Sequence, residues 1–204
     1  MDANRLSELY AKPQLHPEVI VKRHFSSLTG PEALRIAIAI EDRNADTYRQ
    51  LADLFSHFCP ESPTLASTFS ELSSTERQHS IALSTRYLER YGTVNAGIAE
   101  EDIRDFIEVP RFEVADIVAA IETGSPGSAR RIALEIAAAA ERSALHYYER
   151  LAVVALDPQM KSLYQEFASF EQEHTDWLET ELASKYPDLT SPGVPVAKST
   201  TGHD

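Results

Sequence analysis

A single cysteine, Cys59, stands in a chain of 204 residues, which excludes an internal disulfide, a CxxC redox pair and a cysteine metal knuckle. Apolar runs long enough to cross a membrane are missing as well. Met1 to Tyr10 lack the basic stretch followed by an apolar run that a secretory signal needs, and a cytoplasmic location is the expectation. Basic residues are in deficit: 19 Lys and Arg face 32 Asp and Glu, a formal charge of -13. Binding to a phosphate backbone needs a clustered basic surface, so neither a nucleic-acid nor a membrane partner is expected. Acidity of this degree suits a protein that draws in cations without singling one out.

What is present is long helical periodicity. Thr29-Gly30-Pro31-Glu32 combines a capping residue, a proline in the first turn and an acid at the positive end of the dipole. From there apolar positions recur by threes and fours to about His57, through Leu34, Ala37, Ile38, Ala45, Tyr48, Leu51, Ala52 and Phe55. A second helix is expected from Ser62-Pro63 to Tyr91, stopped by Gly92, with Leu65, Phe69, Leu72, Glu76, His79, Leu83 and Tyr87 on its inner stripe. A third covers about 127–156. Asp157-Pro158 starts a fourth almost at once, which makes the last two antiparallel neighbours, and Pro187 ends it after Tyr186.

Between helices two and three, residues 93–125 form a crossover with a short helix around Glu113 to Glu122. Its Ile103, Phe106, Ile107, Phe112, Ile117 and Val118 should pack on the rest. Residues 1–30 are expected to be an irregular arm. The Ser-, Thr-, Pro- and Gly-rich residues 187–204 have the composition of a disordered tail. The expected fold over 31–186 is therefore all-α: a ferritin-like four-helix bundle with one long crossover.

The two halves repeat. Shifted by 100 positions, Ile36, Ala37, Ala39, Glu41, Tyr48, Leu51 and Ala52 meet Ile136, Ala137, Ala139, Glu141, Tyr148, Leu151 and Ala152. Shifted by 95, Glu71, Glu76, His79 and Leu83 meet Glu166, Glu171, His174 and Leu178. Glu76 and His79, like Glu171 and His174, stand three apart and so share one helix face. Glu41 is framed by Leu34, Ala37, Ile38, Ala45 and Tyr48, and Glu141 by Leu134, Ala137, Ala138, Leu145 and Tyr148. Four glutamates on apolar stripes converge in one core. Each would cost several kcal/mol if ionised and uncompensated, so either they neutralise or cations bind between them.

Two divalent ions balance four carboxylates if both histidines are neutral, as ligands must be. Glutamate and histidine donors suit iron or manganese, and the thiolates that favour zinc or copper(I) are missing. One Glu from each of two helices and a Glu-x-x-His from each of the other two is the ligand pattern of carboxylate-bridged dimetal bundles. The expected ligands are Glu41, Glu76, His79, Glu141, Glu171 and His174.

These motifs resemble the rubrerythrin branch of the ferritin-like superfamily, over about residues 31–186. The resemblance implies two iron ions per chain, with manganese as the alternative. It also implies that Tyr48 and Tyr148, seven residues after their glutamates, hydrogen-bond carboxylates across the site. The activity implied is oxidation of Fe²⁺ by O2 or hydrogen peroxide, or reduction of peroxide with electrons from a separate donor protein, in a homodimer. Iron storage with little turnover and a dimanganese, catalase-like reaction are the other readings of the same ligand set. Two departures bear on the chemistry. Rubrerythrins commonly carry a further carboxylate one turn from the helix-three glutamate, where Ala138 and Ala144 stand here, and a rubredoxin module with CxxC pairs, which one cysteine cannot supply. Glu71 and Glu166, five residues before a ligand, are read as surface residues. His16, His24, His57, His146 and His203 have no partner spacing and are read likewise, while Cys59 is read as structural.

Overall fold

The computed structural model describes residues 24–59, 63–92, 103, 106–107, 114–123 and 126–186, and among them the chain is all-helical, without strands. Four long helices dominate: α1 (Gly30–Phe58), α2 (Pro63–Tyr91), α4 (Pro126–Val154) and α5 (Pro158–Lys185). A shorter α3 (Val114–Glu122) lies between α2 and α4, within one residue of the helix expected there, and a 3-10 turn at Phe25–Ser27 precedes α1. The rest of the N-terminal arm, most of the crossover with Phe112, and the C-terminal tail fall outside the described residues.

The helix boundaries follow from local chemistry. Thr29 caps α1 in a reciprocal box: its hydroxyl accepts from the Glu32 N–H, and the Glu32 carboxylate accepts from the Thr29 N–H at 2.9 Å. Asp157 caps α5, accepting from the N–H groups of Gln159 and Met160 at 2.8 and 3.4 Å. Gly92 follows α2 with φ 77°, the left-handed conformation that terminates a helix at low cost only for glycine.

The long helices pack in antiparallel pairs. Along α1 and α2, Gly30 lies against the Tyr91 ring, Asp42 and Asp46 bind Arg77, and Ser73 donates to the Ala45 carbonyl at 2.8 Å. Along α4 and α5, Arg142 binds Glu179 at 2.8 Å and the Tyr186 hydroxyl donates to the Gly127 carbonyl at 2.9 Å. Across the pairs, Arg90 of α2 binds Asp157 at the start of α5, and Tyr147 of α4 donates to the Ala33 carbonyl of α1 at 2.9 Å.

Two apolar cores occupy opposite ends of this assembly. One gathers Leu34, Ile36, Ile40, Leu83, Tyr147, Tyr148 and Phe167, together with Ile103, Phe106 and Ile107 from between α2 and α4. The other gathers Tyr48, Leu51, Phe55, Phe69, Leu134 and Leu178 around Ile117 of α3. Between α2 and α4, Ile103, Phe106, Ile107 and Ile117 are buried, as their apolar character requires, and Val118 packs at the edge of the second core. Ala137, Ala138 and Ala140 are buried within the chain, so the alanine run lets helices approach inside the molecule. Where the sequence reading puts Ile38 on the inner stripe of α1, the structure half-buries it and buries Ala33, Ile36 and Ile40 instead. The reason is that α1 meets both α2 and α4, which widens its buried face toward α4.

Candidate metal centre

Between the two cores lies a polar layer. Glu41, Glu76, Glu141 and Glu171 are each 0% exposed, one from each long helix, while the side chains of His79 and His174 retain 13% and 18% exposure. The carboxylates are thus closed off from solvent, and of the six only the two histidines retain some exposure. All six residues singled out by spacing come together here.

Their donor atoms form two overlapping groups. Glu41, Glu76, His79 and Glu171 offer atoms that lie within 4.8 Å of one another, and Glu76, Glu141, Glu171 and His174 do the same. Glu76 and Glu171 belong to both. His79 Nδ1 stands 3.5 Å from Glu76 Oε2, 3.6 Å from Glu41 Oε2 and 3.7 Å from Glu171 Oε1. His174 Nδ1 stands 3.0 Å from Glu76 Oε1 and 3.7 Å from Glu141 Oε2. One oxygen of Glu76 therefore faces each histidine, which is the disposition of a carboxylate shared between two cations. The imidazole rings lie nearly parallel, their centroids 5.9 Å apart.

Tyr48 and Tyr148 complete the layer reciprocally. Tyr48 of α1 donates its hydroxyl to Glu141 Oε1 of α4, and Tyr148 of α4 donates to Glu41 Oε1 of α1. Both hydroxyls are pushed well above the ordinary tyrosine pKa, first by burial and then by the neighbouring carboxylates, so they remain donors. Each tyrosine occupies one oxygen of a glutamate that belongs to only one group and leaves the other oxygen free.

What is left unpartnered decides whether cations fit. Glu41 Oε2, Glu141 Oε2, both oxygens of Glu76 and Glu171, and Nδ1 of His79 and His174 are buried without a hydrogen bond; the 3.0 Å approach of His174 to Glu76 lacks hydrogen-bond geometry. Buried polar atoms are almost always satisfied, and an orphaned set facing one centre calls for a missing partner. Donors on opposite sides of an ion bound at about 2.1 Å lie about 4.2 Å apart. Atoms that lie within 4.8 Å of one another would thus have to close by at most about 0.6 Å to reach that span. Three carboxylate oxygens and one imidazole nitrogen in each group suit iron or manganese.

Without cations the layer holds itself together with protons. Burial, then the neighbouring Glu76, raises Glu41 well above the usual carboxylate range, against the opposing contact with His79. Glu171 is raised by burial and then by Glu41 and Glu141. Glu76 is pushed up by burial, but the close approach of the His174 and His79 imidazoles outweighs this and holds it at about 2. Burial would lower both histidines, yet Glu41 and Glu76 carry His79 to about 9, and Glu141 and Glu76 carry His174 to about 10.

Sequence reasoning missed several buried groups around the layer. Asn44, Ser80 and Thr175 are 5%, 5% and 3% exposed, although a polar residue beside an apolar stripe reads as surface. The i+4 spacing of Ser80 from Glu76 and of Thr175 from Glu171 was the available signal. Phe170 stacks on His79 with centroids 5.1 Å apart, and Phe167 meets it edge-on at 5.4 Å. Glu71, Glu166, His24, His57 and His146 are exposed as read, and Cys59 is buried. No family model, curated protein or solved structure matches the chain.

Proposed function

We propose that the chain is a non-haem dimetal protein of ferritin-like type, with two iron ions held between Glu41, Glu76, His79, Glu141, Glu171 and His174. The carrying observation is the pair of overlapping donor groups that share Glu76 and Glu171, each of whose six residues carries a buried donor atom without a hydrogen bond. The antiparallel contacts give helix directions of up, down, down, up for α1, α2, α4 and α5. That order of directions is the one a ferritin-like four-helix bundle has. This connectivity, with the residues Glu41, Tyr48, Glu76, His79, Glu141, Tyr148, Glu171 and His174, supports the rubrerythrin-like reading.

Bound iron would supply one-electron steps at two adjacent ions, the chemistry required to oxidise Fe²⁺ with O2 or peroxide, or to reduce peroxide with electrons from a separate donor protein. The protein's residues do the rest. Glu41 and Glu141 would each offer one oxygen to an ion, while Tyr148 and Tyr48 hold the other oxygen and so the carboxylate plane. Glu76 and Glu171, which belong to both donor groups, would be shared between the ions. The two apolar cores shield the layer above and below. Ala138 and Ala144 are fully buried and would provide no further ligand.

Rapid mixing of the ferrous protein with O2 and, separately, with peroxide tests the reading. Faster oxidation by peroxide is the rubrerythrin-like outcome, and faster oxidation by O2 the ferroxidase outcome. Accumulation of iron far beyond two ions per chain would replace both with storage. Protein that stays metal-free when iron and manganese are plentiful would end the proposal.

A further inference from the structure

Asn44 is the buried polar residue of α1 that none of these roles uses. It stands three residues after Glu41 and four before Tyr48, on the same stripe of the helix. It is 5% exposed, and its side-chain nitrogen has no hydrogen-bond partner. A buried amide donor without an acceptor is costly, and nothing in the packing requires it: the corresponding position in the second half is Ala144, fully buried.

Its placement follows from helix phase. Asp42, Ala45 and Asp46 face α2, through Ser80, Ser73 and Arg77. Ala33 and Tyr48 face α4, through Tyr147 and through Glu141 with the Ala137 carbonyl. Asn44 lies on this second side. The antiparallel register set by Glu41 with Tyr148 and Tyr48 with Glu141 brings it opposite Ala144 and Leu145, between the two reciprocal tyrosine–glutamate pairs.

We propose that Asn44 is a substrate-positioning residue. Its amide donates to the small oxygen molecule, O2 or peroxide, admitted beside the metal pair, and because Ala144 cannot do the same the two ion positions become inequivalent toward that guest. This rests on the dimetal reading. An acceptor atom of the guest would satisfy the orphaned donor, and a fixed donor on one side only would turn the guest in one direction.

The probe is azide, a small anion that accepts a hydrogen bond and binds open positions on oxidised iron. Asn44→Leu, close in volume, and Asn44→Ala are compared with the wild type after iron loading. Both variants should keep the wild-type metal content and bind azide about tenfold more weakly, the loss of one hydrogen bond. In the metal-free state Asn44→Leu should melt about 3 °C higher, because an unsatisfied donor is gone. Slower oxidation by O2 or by peroxide in the variants identifies which one Asn44 holds. Unchanged azide affinity in loaded variants overturns the proposal alone, and so does a metal-free Asn44→Leu that melts lower, which would make Asn44 a structural residue. A wild type that takes up no metal overturns the dimetal reading and this inference together.

Discussion

The helix pairs α1/α2 and α4/α5 present the same Glu, Tyr, Glu and His to the polar layer but surround them differently. On the first pair, Asp42 accepts from Ser80 at 2.7 Å and binds Arg77, which ties α1 to α2 directly behind the site. On the second pair, position 142 is an arginine that reaches Glu179 instead, and Thr175, the counterpart of Ser80, has an unpartnered hydroxyl. Phe167 and Phe170 of α5 wall His79, while the corresponding residues of α2 are Leu72 and Thr75. The comparison separates two kinds of constraint. What both halves hold in common is what a pair of buried cations would require; what differs is the scaffolding, which has many solutions.

The strongest test of that separation lies within the common set. Glu76→Ala or Glu171→Ala removes a donor from both groups, and metal content should fall from about two ions per chain to near zero by elemental analysis. Glu41→Ala or Glu141→Ala removes a donor from one group only, and an intermediate content is expected. Equal losses in all four variants would erase the distinction between shared and unshared carboxylates.

Protons sharpen the comparison next. His79 at about 9 and His174 at about 10 lie above the ordinary 6.5, so in the metal-free protein both stabilise the fold below pH 6.5, and that contribution is lost as the pH rises through 9 to 10. The raised Glu41 and Glu171 act in the same sense, losing their contribution as the pH climbs from 4.5. Glu76, at about 2, acts oppositely: its contribution is present above 4.5 and is lost as the pH falls toward 2. Metal requires neutral imidazoles and ionised carboxylates, so loading should release protons and remove the alkaline decline. Melting temperatures from pH 6.5 to 10, with and without iron, check this. A metal-free protein that grows more stable across that range would contradict it.

The tyrosines come third. Tyr48→Phe and Tyr148→Phe each free one carboxylate oxygen, and metal affinity should weaken by about 10- to 100-fold in either variant. Competition with a chelator reads the effect, and a loss confined to one tyrosine would break the twofold account. The smallest effects belong to the scaffolding. Arg77→Ala and Arg142→Ala remove ion pairs whose side chains are nearly half exposed, so each should cost less than about 1 kcal/mol and leave metal content unchanged.

The sequence carries the helices and the six converging residues because both follow from periodicity: a glutamate framed by apolar neighbours at i±3 and i±4 has one direction in which to point. The repeat adds the pairing of Glu41 with Glu141 and of the two Glu-x-x-His motifs. Periodicity along one helix does not give the relation between helices. That Glu76 and Glu171 belong to both groups, and that each tyrosine reaches the opposite half's glutamate, depends on helix register across the interior. Tyr147 is fully buried beside Tyr148 because the turn of α4 it occupies is covered by Phe25 and by the Ala33 carbonyl, contacts from residues more than a hundred positions away. Asn44 escapes a pattern reading for a related reason: polarity at the edge of a stripe looks like surface until a neighbouring helix is placed over it.

The central claim is a pair of ions sharing Glu76 and Glu171. Anomalous diffraction from crystals of the iron-loaded protein tests it most directly. Two peaks are predicted in the polar layer, one ligated by Glu41 and His79, the other by Glu141 and His174, with Glu76 and Glu171 ligating both. A layer without peaks after loading, or ions bound only at exposed acidic residues, would contradict the account.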